Sequence, residues 1–253
     1  MADPVAQAAA EPLSALFVSD LHLDPGQPEV TAQFLDLLAT RARRSPALYV
    51  LGDLFEAWVG DDDPCPEYRT VIEAFRALTD ANVALYFMHG NRDFLLGERF
   101  ARATGGVILT DPTIATCDGR RMLLTHGDAL CTDDLGYQKL RSIVRDPSWQ
   151  ARFLALGLRE RRALVSQARA ASREHTANPY ALLMDVNQDA VVQAFRAADV
   201  DLMIHGHTHR PAVHTFELDG TTRTRVVLGD WHSRGSCIEL SADGPALLKL
   251  ERG

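Results

Sequence analysis

A chain of 253 residues, 46% of them hydrophobic, is long enough to bury the core of one compact domain, or of a domain with a sizeable insertion. Its formal net charge of −8 argues against binding a polyanion along an extended surface, so a site for phosphate groups needs a local cation. The four cysteines lack CxxC spacing, which argues against a thiolate zinc site or a disulfide framework and is typical of a reducing compartment.

The N-terminal residues 1–12 contain no Lys or Arg and no apolar core, which predicts a disordered tail rather than a signal peptide. No run approaches the roughly 18 consecutive apolar residues of a membrane span. We therefore predict a single domain over 13–253, and expect any contact with a membrane to be peripheral.

Short apolar runs alternate with amphipathic stretches along the chain. The runs are rich in Val, Leu, Ile, Tyr and Phe and predict buried strands at 16–18, 48–51, 83–88, 122–124, 202–204, 225–228 and 236–240. The amphipathic stretches predict helices at 29–44, 68–80 and 187–198. Such alternation indicates an α/β layer architecture, in which ligands bind at the turns that follow the strands.

The stretch from about 135 to 185 carries no strand signal and looks helical throughout. Between Tyr137 and His175 it has only three acidic residues but nine basic ones, which are Lys139, Arg141, Arg145, Arg152, Arg159, Arg161, Arg162, Arg169 and Arg173. Apolar residues, among them Phe153, Leu154, Leu156 and Leu164, are interleaved with these charges. We predict an inserted helical cap that is opposite in charge to its host. A solvated pair of surface helices with an ordinary core face is the alternative.

Side chains that can bind metals follow five of the predicted strands. They are Asp20, His22, Asp53, Asn91, His126, His207 and His209. Oxygen and nitrogen donors without thiolate suit Mn, Fe, Zn or Co, and seven donors are too many for one ion with open positions. Two ions that share Asp53 would clamp a phosphoryl group. Each residue alone has an ordinary structural interpretation, such as a turn or a helix cap, but five independent strand ends favour a common site.

These segments resemble the calcineurin-like metallophosphoesterases in order and spacing. The matching motifs are Asp20-Leu21-His22, Gly52-Asp53, Gly90-Asn91-Arg92-Asp93, His126-Gly127-Asp128 and Gly206-His207-Thr208-His209, and the resemblance spans roughly 15–245. It implies a β-sandwich flanked by helices, with a two-metal site at the strand ends.

A narrower resemblance points to the UDP-2,3-diacylglucosamine pyrophosphohydrolases of lipid A biosynthesis. It is carried by the segment from Gly52 to Asp62, by 205–211, by Met184-Asp185-Val186-Asn187 and by Arg92, which stands where most of the superfamily has a histidine. Arginine suits bidentate phosphate contact and cannot serve as a general acid. The helical insertion is also typical of this subfamily.

The resemblance implies residue roles that spacing alone does not give. Asp20, His22, Asp53 and His209 are expected to hold one Mn²⁺, and Asp53, Asn91, His126 and His207 the other. The catalytic set is expected to be Asn91, Arg92 and His207, which also contact the substrate phosphates. Asp134, Ser172 and Thr176 are expected to touch the glucosamine and uridine diphosphate parts. One departure is Pro179, where the family usually has a basic cap residue, which leaves Arg169 or Arg173 to compensate.

The reaction so implied is water attack at the α-phosphorus of UDP-2,3-diacylglucosamine, which gives 2,3-diacylglucosamine 1-phosphate (lipid X) and UMP. The expected location is the cytoplasm, peripheral on the cytoplasmic face of the bacterial inner membrane, without nucleic acid or an obligate protein partner. Three alternatives stay open: a nucleotide pyrophosphatase or phosphodiesterase acting on soluble substrates, a non-catalytic scaffold of the same fold, and a nuclease. The net charge and the confinement of positive charge to the insertion argue against the nuclease.

Overall fold

The computed structural model describes residues 12–176, 185–232 and 235–250, with the side chains of all of these except 171–176. The strands of this part are β1 (Ala15–Val18), β2 (Ala47–Leu51), β3 (Ala84–Met88), β4 (Val107–Leu109), β5 (Thr113–Cys117), β6 (Arg120–Leu124), β7 (Leu202–His205), β8 (Ala212–Leu218), β9 (Thr221–Val227), β10 (Ser236–Ser241) and β11 (Gly244–Lys249). The helices are α1 (Pro28–Ala39), α2 (Arg69–Asp80), α3 (Glu98–Thr104), α4 (Leu135–Val144), α5 (Pro147–Leu154), α6 (Leu158–Thr176) and α7 (Gln188–Ala198).

Two sheets pack face to face as a sandwich. The first has the order β11-β10-β1-β2-β3-β4 and the second β5-β6-β7-β9-β8. Strands β1 to β4 run parallel, as do β6, β7 and β9. Between the sheets lies one apolar cluster, which includes Phe17, Tyr49, Met88, Leu124, Ile204 and Val226. Burial of these side chains stabilises the sandwich, and the predicted fold class is confirmed.

Helices cover both outer faces of the sandwich. Helices α1, α2 and α3 pack on the first sheet, where Phe34, Phe75 and Phe87 make edge-to-face contacts in a single cluster. Helix α7 covers the second sheet through Val191 and Phe195. The predicted helix at 29–44 is shorter than expected, because α1 ends at Ala39 and only a 3-10 turn at Ala42–Arg44 follows. No helix in the described ranges is both long enough and apolar enough to cross a bilayer.

The strands that the sequence did not predict are short or lie at sheet edges. Strand β4 has three residues, and β8 alternates polar with apolar residues and is mostly exposed. Each sheet has two outer strands, which are β11 and β4 in the first sheet and β5 and β8 in the second. An edge strand needs no continuous apolar run, because one of its sides or faces meets water.

Arginines attach the cap helices α4, α5 and α6 to the body, together with apolar side chains such as Phe153 and Trp149 that pack against the core of the first sheet. Arg141 Nε donates to Asp128 Oδ2 at 2.9 Å, and Arg145 Nη2 donates to the carbonyl oxygen of Gly90 at 3.0 Å. On α6, three further ion pairs join the cap to the loop after β2, and they are Arg161–Asp62, Arg162–Asp63 and Arg169–Glu56. Of the eight basic side chains of the insertion that the structure describes, five therefore bind the body, which accounts for much of its opposite charge.

Arg161 is the most buried of these arginines, with a side chain 2% exposed. It donates to the carbonyl oxygens of Val59 at 2.6 Å and Leu156 at 3.1 Å as well as to Asp62. We expect Arg161→Ala to lower the free energy of unfolding by about 2–4 kcal/mol, because it empties a packed volume and leaves acceptors unpaired. Urea denaturation measures this. Arg159→Ala, an exposed position on the same helix, is the control and is expected to change stability by less than about 0.5 kcal/mol. Equal stabilities of the two variants would contradict this view of the cap.

Candidate metal centre

The seven predicted donors meet where the sandwich strands end. Asp20 and His22 follow β1, Asp53 follows β2 and Asn91 follows β3 in the first sheet. His126 follows β6, and His207 and His209 follow β7, in the second sheet. Their donor atoms form two groups with close spacing, one of Asp20, His22 and His209 and one of Asp20, Asp53 and His126, in each of which the ligand atoms lie within 4.8 Å of one another. Asn91 joins the second group through His126 and His207.

The first group surrounds a free carboxylate oxygen. Asp20 Oδ2 accepts hydrogen bonds from the His207 backbone N–H at 2.9 Å and the Ser19 hydroxyl at 2.5 Å. Asp20 Oδ1 is buried without a hydrogen bond and lies 3.4 Å from His209 Nε2. His22 Nε2 is 3.2 Å from the same His209 atom. A buried carboxylate oxygen left unpaired costs free energy, and a cation among these three side chains would satisfy it.

The second group contains a histidine whose protonated nitrogen is fixed by the backbone. His126 Nδ1 donates to the carbonyl oxygen of Leu51 at 2.9 Å, so its Nε2 atom faces the site and can bind a cation in place of a proton. The side-chain oxygen of Asn91 lies 3.1 Å from that Nε2 atom and 3.1 Å from His207 Nδ1. With its NH2 group turned inward, Asn91 would donate to both histidines and to Asp53 Oδ2. With its oxygen turned inward, it would offer one more ligand atom to a cation.

Asp20 is common to the two groups, and Asp53, a member of the second group, also approaches the first. Its Oδ1 accepts the Arg92 backbone N–H at 2.8 Å, which leaves Oδ2 to face the site. This Oδ2 atom is 3.7 Å from His22 Nε2 and 3.8 Å from His126 Nε2. A carboxylate oxygen placed between two sets of donors has the position that a shared ligand requires.

The electrostatics of the site favour positive charge. Burial opposes protonation of His126, but the carboxylates of Asp53 and Asp20 outweigh it and raise the pKa of His126 to about 9. Burial also opposes ionisation of Asp20, yet the close approach and positive charge of His209, 3.4 Å away, keep the pKa of Asp20 well below its usual value. The same field that attracts protons attracts divalent cations. The residues therefore fit a divalent metal centre, in agreement with the donor chemistry.

Five of the seven donors have left-handed backbone conformations. The φ angles are 54° for Asp20, 48° for His22, 52° for Asp53, 69° for His207 and 56° for His209. Such φ values are uncommon outside glycine and cost of order 1–3 kcal/mol each, although Asp and His tolerate them better than most residues. These turns bring two donors from one strand end towards the same centre.

Close approach of the donor loops requires glycine at two positions. A Cβ on Gly90 would lie 2.1 Å from Asp53 Oδ1, and a Cβ on Gly206 would lie 2.2 Å from Asp20 Oδ2. Glycine therefore precedes Asn91 and His207 because the neighbouring loop leaves no space for a side chain there.

The predicted substrate-contacting residues are placed in different regions. Arg92 is at the metal centre, with Nε 4.0 Å from Asp53 Oδ2 and its side chain 20% exposed. Asp134 caps the N-terminus of α4 by accepting the Tyr137 N–H at 2.9 Å. Ser172 and Thr176 lie on α6, but their side chains, like that of Arg173, are outside the described residues. Pro179 and Met184 are outside them entirely.

Several residues at the site were not singled out by the sequence analysis. Asp93 accepts the backbone N–H groups of Gly90 at 2.9 Å and Leu54 at 2.7 Å, and burial together with the charge of Asp53 raises its pKa to about 6. Tyr137 stacks on His207 with ring centroids 5.9 Å apart and donates to Asp128 Oδ2 at 2.5 Å. Asp93 and Asp128 belong to motifs quoted in the sequence analysis, so their positions there could have identified them as site residues. Tyr137 could not be identified in this way, because it reaches the site only through the folding of the cap.

Comparison with known proteins identifies a family and several relatives. Residues 13–211 match the family described as calcineurin-like phosphoesterase. The chain is 50% identical over 236 residues to a UDP-2,3-diacylglucosamine hydrolase from Escherichia coli O81 (strain ED1a), covering 93% of this chain and 98% of that protein. A protein of the same name from Escherichia fergusonii is 49% identical with the same coverage. Among solved structures, an archaeal phosphodiesterase is similar with a TM-score of 0.48 at 15% identity, covering 93% of this chain and 99% of that chain.

Proposed function

Because this chain belongs to the calcineurin-like phosphoesterase family, we propose that it uses two metal ions to hydrolyse the pyrophosphate bond of UDP-2,3-diacylglucosamine in lipid A biosynthesis. The observation that carries the proposal is the convergence of seven donors beside Arg92, in a chain half identical to hydrolases of that name. The products are 2,3-diacylglucosamine 1-phosphate (lipid X) and UMP.

The donors divide into two sets around Asp53. We propose that Asp20, His22, Asp53 and His209 hold one Mn²⁺ and that Asp53, Asn91, His126 and His207 hold the other. When bound, two such ions polarise phosphoryl oxygens and lower the pKa of a water molecule. Mn²⁺ suits this mixture of carboxylate, amide and imidazole ligands without thiolate.

The side chains around the ions bind and orient the diphosphate. The permanently charged guanidinium of Arg92 offers paired N–H donors to phosphate oxygens and stabilises the charge that develops on them. His207 is held by its stacking contact with Tyr137, and burial together with the nearby His126 lowers its pKa to about 4, so its ring is neutral. Asn91 reaches the same centre through its amide. Asp134, Ser172 and Thr176 are proposed to contact the glucosamine and uridine diphosphate parts from the cap.

The proposed reaction is a single displacement at the α-phosphorus. The oxygen of water forms a bond to the α-phosphorus, and the bond from that phosphorus to the bridging oxygen breaks. The bridging oxygen departs with the sugar 1-phosphate, while UMP retains the oxygen from water. Both protons of the water pass to solvent or to the phosphate products.

An assay that compares substrates tests this proposal directly. With Mn²⁺ we expect UMP release from UDP-2,3-diacylglucosamine at a kcat/KM at least 100-fold above that for UDP-glucose or ADP-ribose, because the acyl chains add binding energy. Phosphate products are measured by ³¹P NMR. Turnover of the soluble nucleotides alone would contradict the substrate assignment, and no metal-dependent turnover at all would favour a scaffold.

The cap offers a surface for peripheral membrane contact. Its exposed apolar side chains are Leu135, Leu140, Ile143, Leu154 and Leu164, and its exposed basic residues include Lys139, Arg152 and Arg159. Leucine and isoleucine side chains that enter the headgroup region, with cations beside anionic lipids, are the pattern of an interfacial helix. We propose that this surface rests on the cytoplasmic face of the bacterial inner membrane, where a diacylated substrate resides.

Vesicle binding checks the membrane proposal. We expect the double change Leu140→Asp with Ile143→Asp to weaken sedimentation with phosphatidylglycerol vesicles roughly tenfold or more, because two apolar contacts become anionic. Val213→Asp, at a comparably exposed position on strand β8, is the matched control and is expected to bind as the unaltered protein does. Equal binding by all three proteins would exclude this surface.

A further inference from the structure

Glu56 connects the candidate metal centre to the cap. Its Oε2 atom lies 3.2 Å from His22 Nδ1, and its Oε1 atom is paired with Arg169 of helix α6. The side chains of Glu56 and Arg169 are 26% and 13% exposed, so this contact is largely shielded from solvent. The result is a continuous series of charged contacts from helix α6 to a proposed metal ligand.

The backbone fixes Glu56 relative to His22. The two loops that carry them run side by side, with the His22 N–H donating to the carbonyl oxygen of Asp53 at 2.9 Å. The Glu56 N–H in turn donates to the carbonyl oxygen of Leu23 at 3.0 Å. Glu56 therefore faces the ring of His22 because of the local fold, and its position does not depend on side-chain packing alone.

The contact with Glu56 affects which ring nitrogen of His22 carries the proton. His22 directs Nε2 towards Asp53 Oδ2 and His209 Nε2, so Nε2 is the atom that would bind a cation. A neutral imidazole that binds through Nε2 carries its proton on Nδ1, and a carboxylate beside Nδ1 favours that tautomer and ring orientation.

We propose that Glu56 is a positioning residue that holds His22 in the tautomer and ring orientation needed for metal binding. We also propose that Arg169 makes this effect depend on the contact between helix α6 and the body. The inference rests on the proposed metal centre. Arg169 holds one oxygen of the carboxylate and so leaves the other directed at His22. Helix α6 thus contributes to affinity for one of the two ions without contacting either.

A second ion pair on the same helix provides an internal comparison. Arg162 binds Asp63 in the loop after β2, as Arg169 binds Glu56, but Asp63 has no contact with a proposed ligand among the described residues. If the arginines of α6 served only to attach the cap, loss of Arg162 and loss of Arg169 would have similar effects at the metal centre.

Titration with Mn²⁺, followed by calorimetry and by electron paramagnetic resonance, tests the inference on the full chain. We expect two ions in the unaltered protein. In Glu56→Ala one of them binds about 10–100-fold more weakly, and the other changes by less than about threefold. Glu56→Gln retains an oxygen acceptor, so we expect its affinity for this ion to lie between those of the unaltered protein and Glu56→Ala. Arg169→Ala is expected to lower the affinity for the same ion to a smaller extent, and Arg162→Ala to leave both affinities unchanged.

A spectroscopic readout separates positioning from general stability. In ¹⁵N-histidine-labelled protein without metal, His22 is expected to be protonated at Nδ1, and this preference is lost in Glu56→Ala but kept in Arg162→Ala. Unchanged Mn²⁺ affinity and an unchanged tautomer in Glu56→Ala would overturn the inference alone, as would equal effects of Arg162→Ala and Arg169→Ala. Absence of Mn²⁺ binding in the unaltered protein would overturn the proposed function with it.

Discussion

Asp53→Ala is expected to lower metal-dependent hydrolysis roughly 10³-fold or more, the largest effect of any single substitution at the centre. Asp53 Oδ2 lies between His22 Nε2 and His126 Nε2, so it is the donor placed to serve both ions. Its loss would separate the two sets of ligands and remove a negative charge from the site. A contribution of about 4 kcal/mol or more from the metal pair corresponds to this factor.

Two further variants identify what Asp53 contributes. Asp53→Asn keeps the oxygen that accepts the Arg92 N–H at 2.8 Å but removes the charge, so we expect it to fold normally and to bind less Mn²⁺. Asp24→Asn changes a nearby carboxylate that accepts the Gly26 N–H in an exposed turn and is expected to retain full activity. Near-normal turnover by Asp53→Ala, measured at saturating Mn²⁺, would contradict a shared-ligand role.

Gly90→Ala is expected to have the second largest effect, although it adds only a methyl group. The new Cβ would lie 2.1 Å from Asp53 Oδ1 and 2.2 Å from the Asp53 backbone nitrogen, so the loops after β2 and β3 must separate. Such separation moves Asn91 and Arg92 away from Asp53. A displacement of about 1 Å at a catalytic centre costs on the order of 100-fold in rate, and overpacking costs about 1–3 kcal/mol of stability.

The matched control for this substitution is Gly157→Ala, in the cap directly before helix α6. A Cβ on Gly157 has no neighbouring atom within 4 Å, so the same change in side chain should leave activity and stability nearly unaltered. Rates from the UMP-release assay and melting temperatures from circular dichroism compare the two variants. If Gly90→Ala were as active as Gly157→Ala, close approach of the loops would not be a requirement of the site.

The buried strands and the donors at their ends were predicted well from the sequence, because both depend on local patterns. A continuous apolar run such as 48–51 specifies a strand covered on both faces, and a polar residue directly after it specifies the position of a donor. Strand-helix alternation predicted only α/β layers, and it was the family resemblance of these motifs that implied the two-sheet architecture. Family resemblance then supplied roles that no periodicity contains.

Contacts between distant segments could not be predicted in this way. Nothing local distinguishes Arg161, which is buried against Val59 and Asp62, from the exposed Arg159 two positions earlier. The excess of basic residues predicted a cap opposite in charge to its host, but not that five of them bind acidic or carbonyl groups of the body. Glu56 likewise gains its place beside His22 only when two loops pair.

Hydrolysis in ¹⁸O-labelled water is the measurement that tests the central claim most directly. The Mn²⁺-loaded protein is incubated with UDP-2,3-diacylglucosamine, and the isotope content of each product is determined by mass spectrometry. Attack at the α-phosphorus predicts one ¹⁸O atom in UMP and none in 2,3-diacylglucosamine 1-phosphate. Label in the sugar phosphate, or no turnover that depends on the metal, would contradict the account.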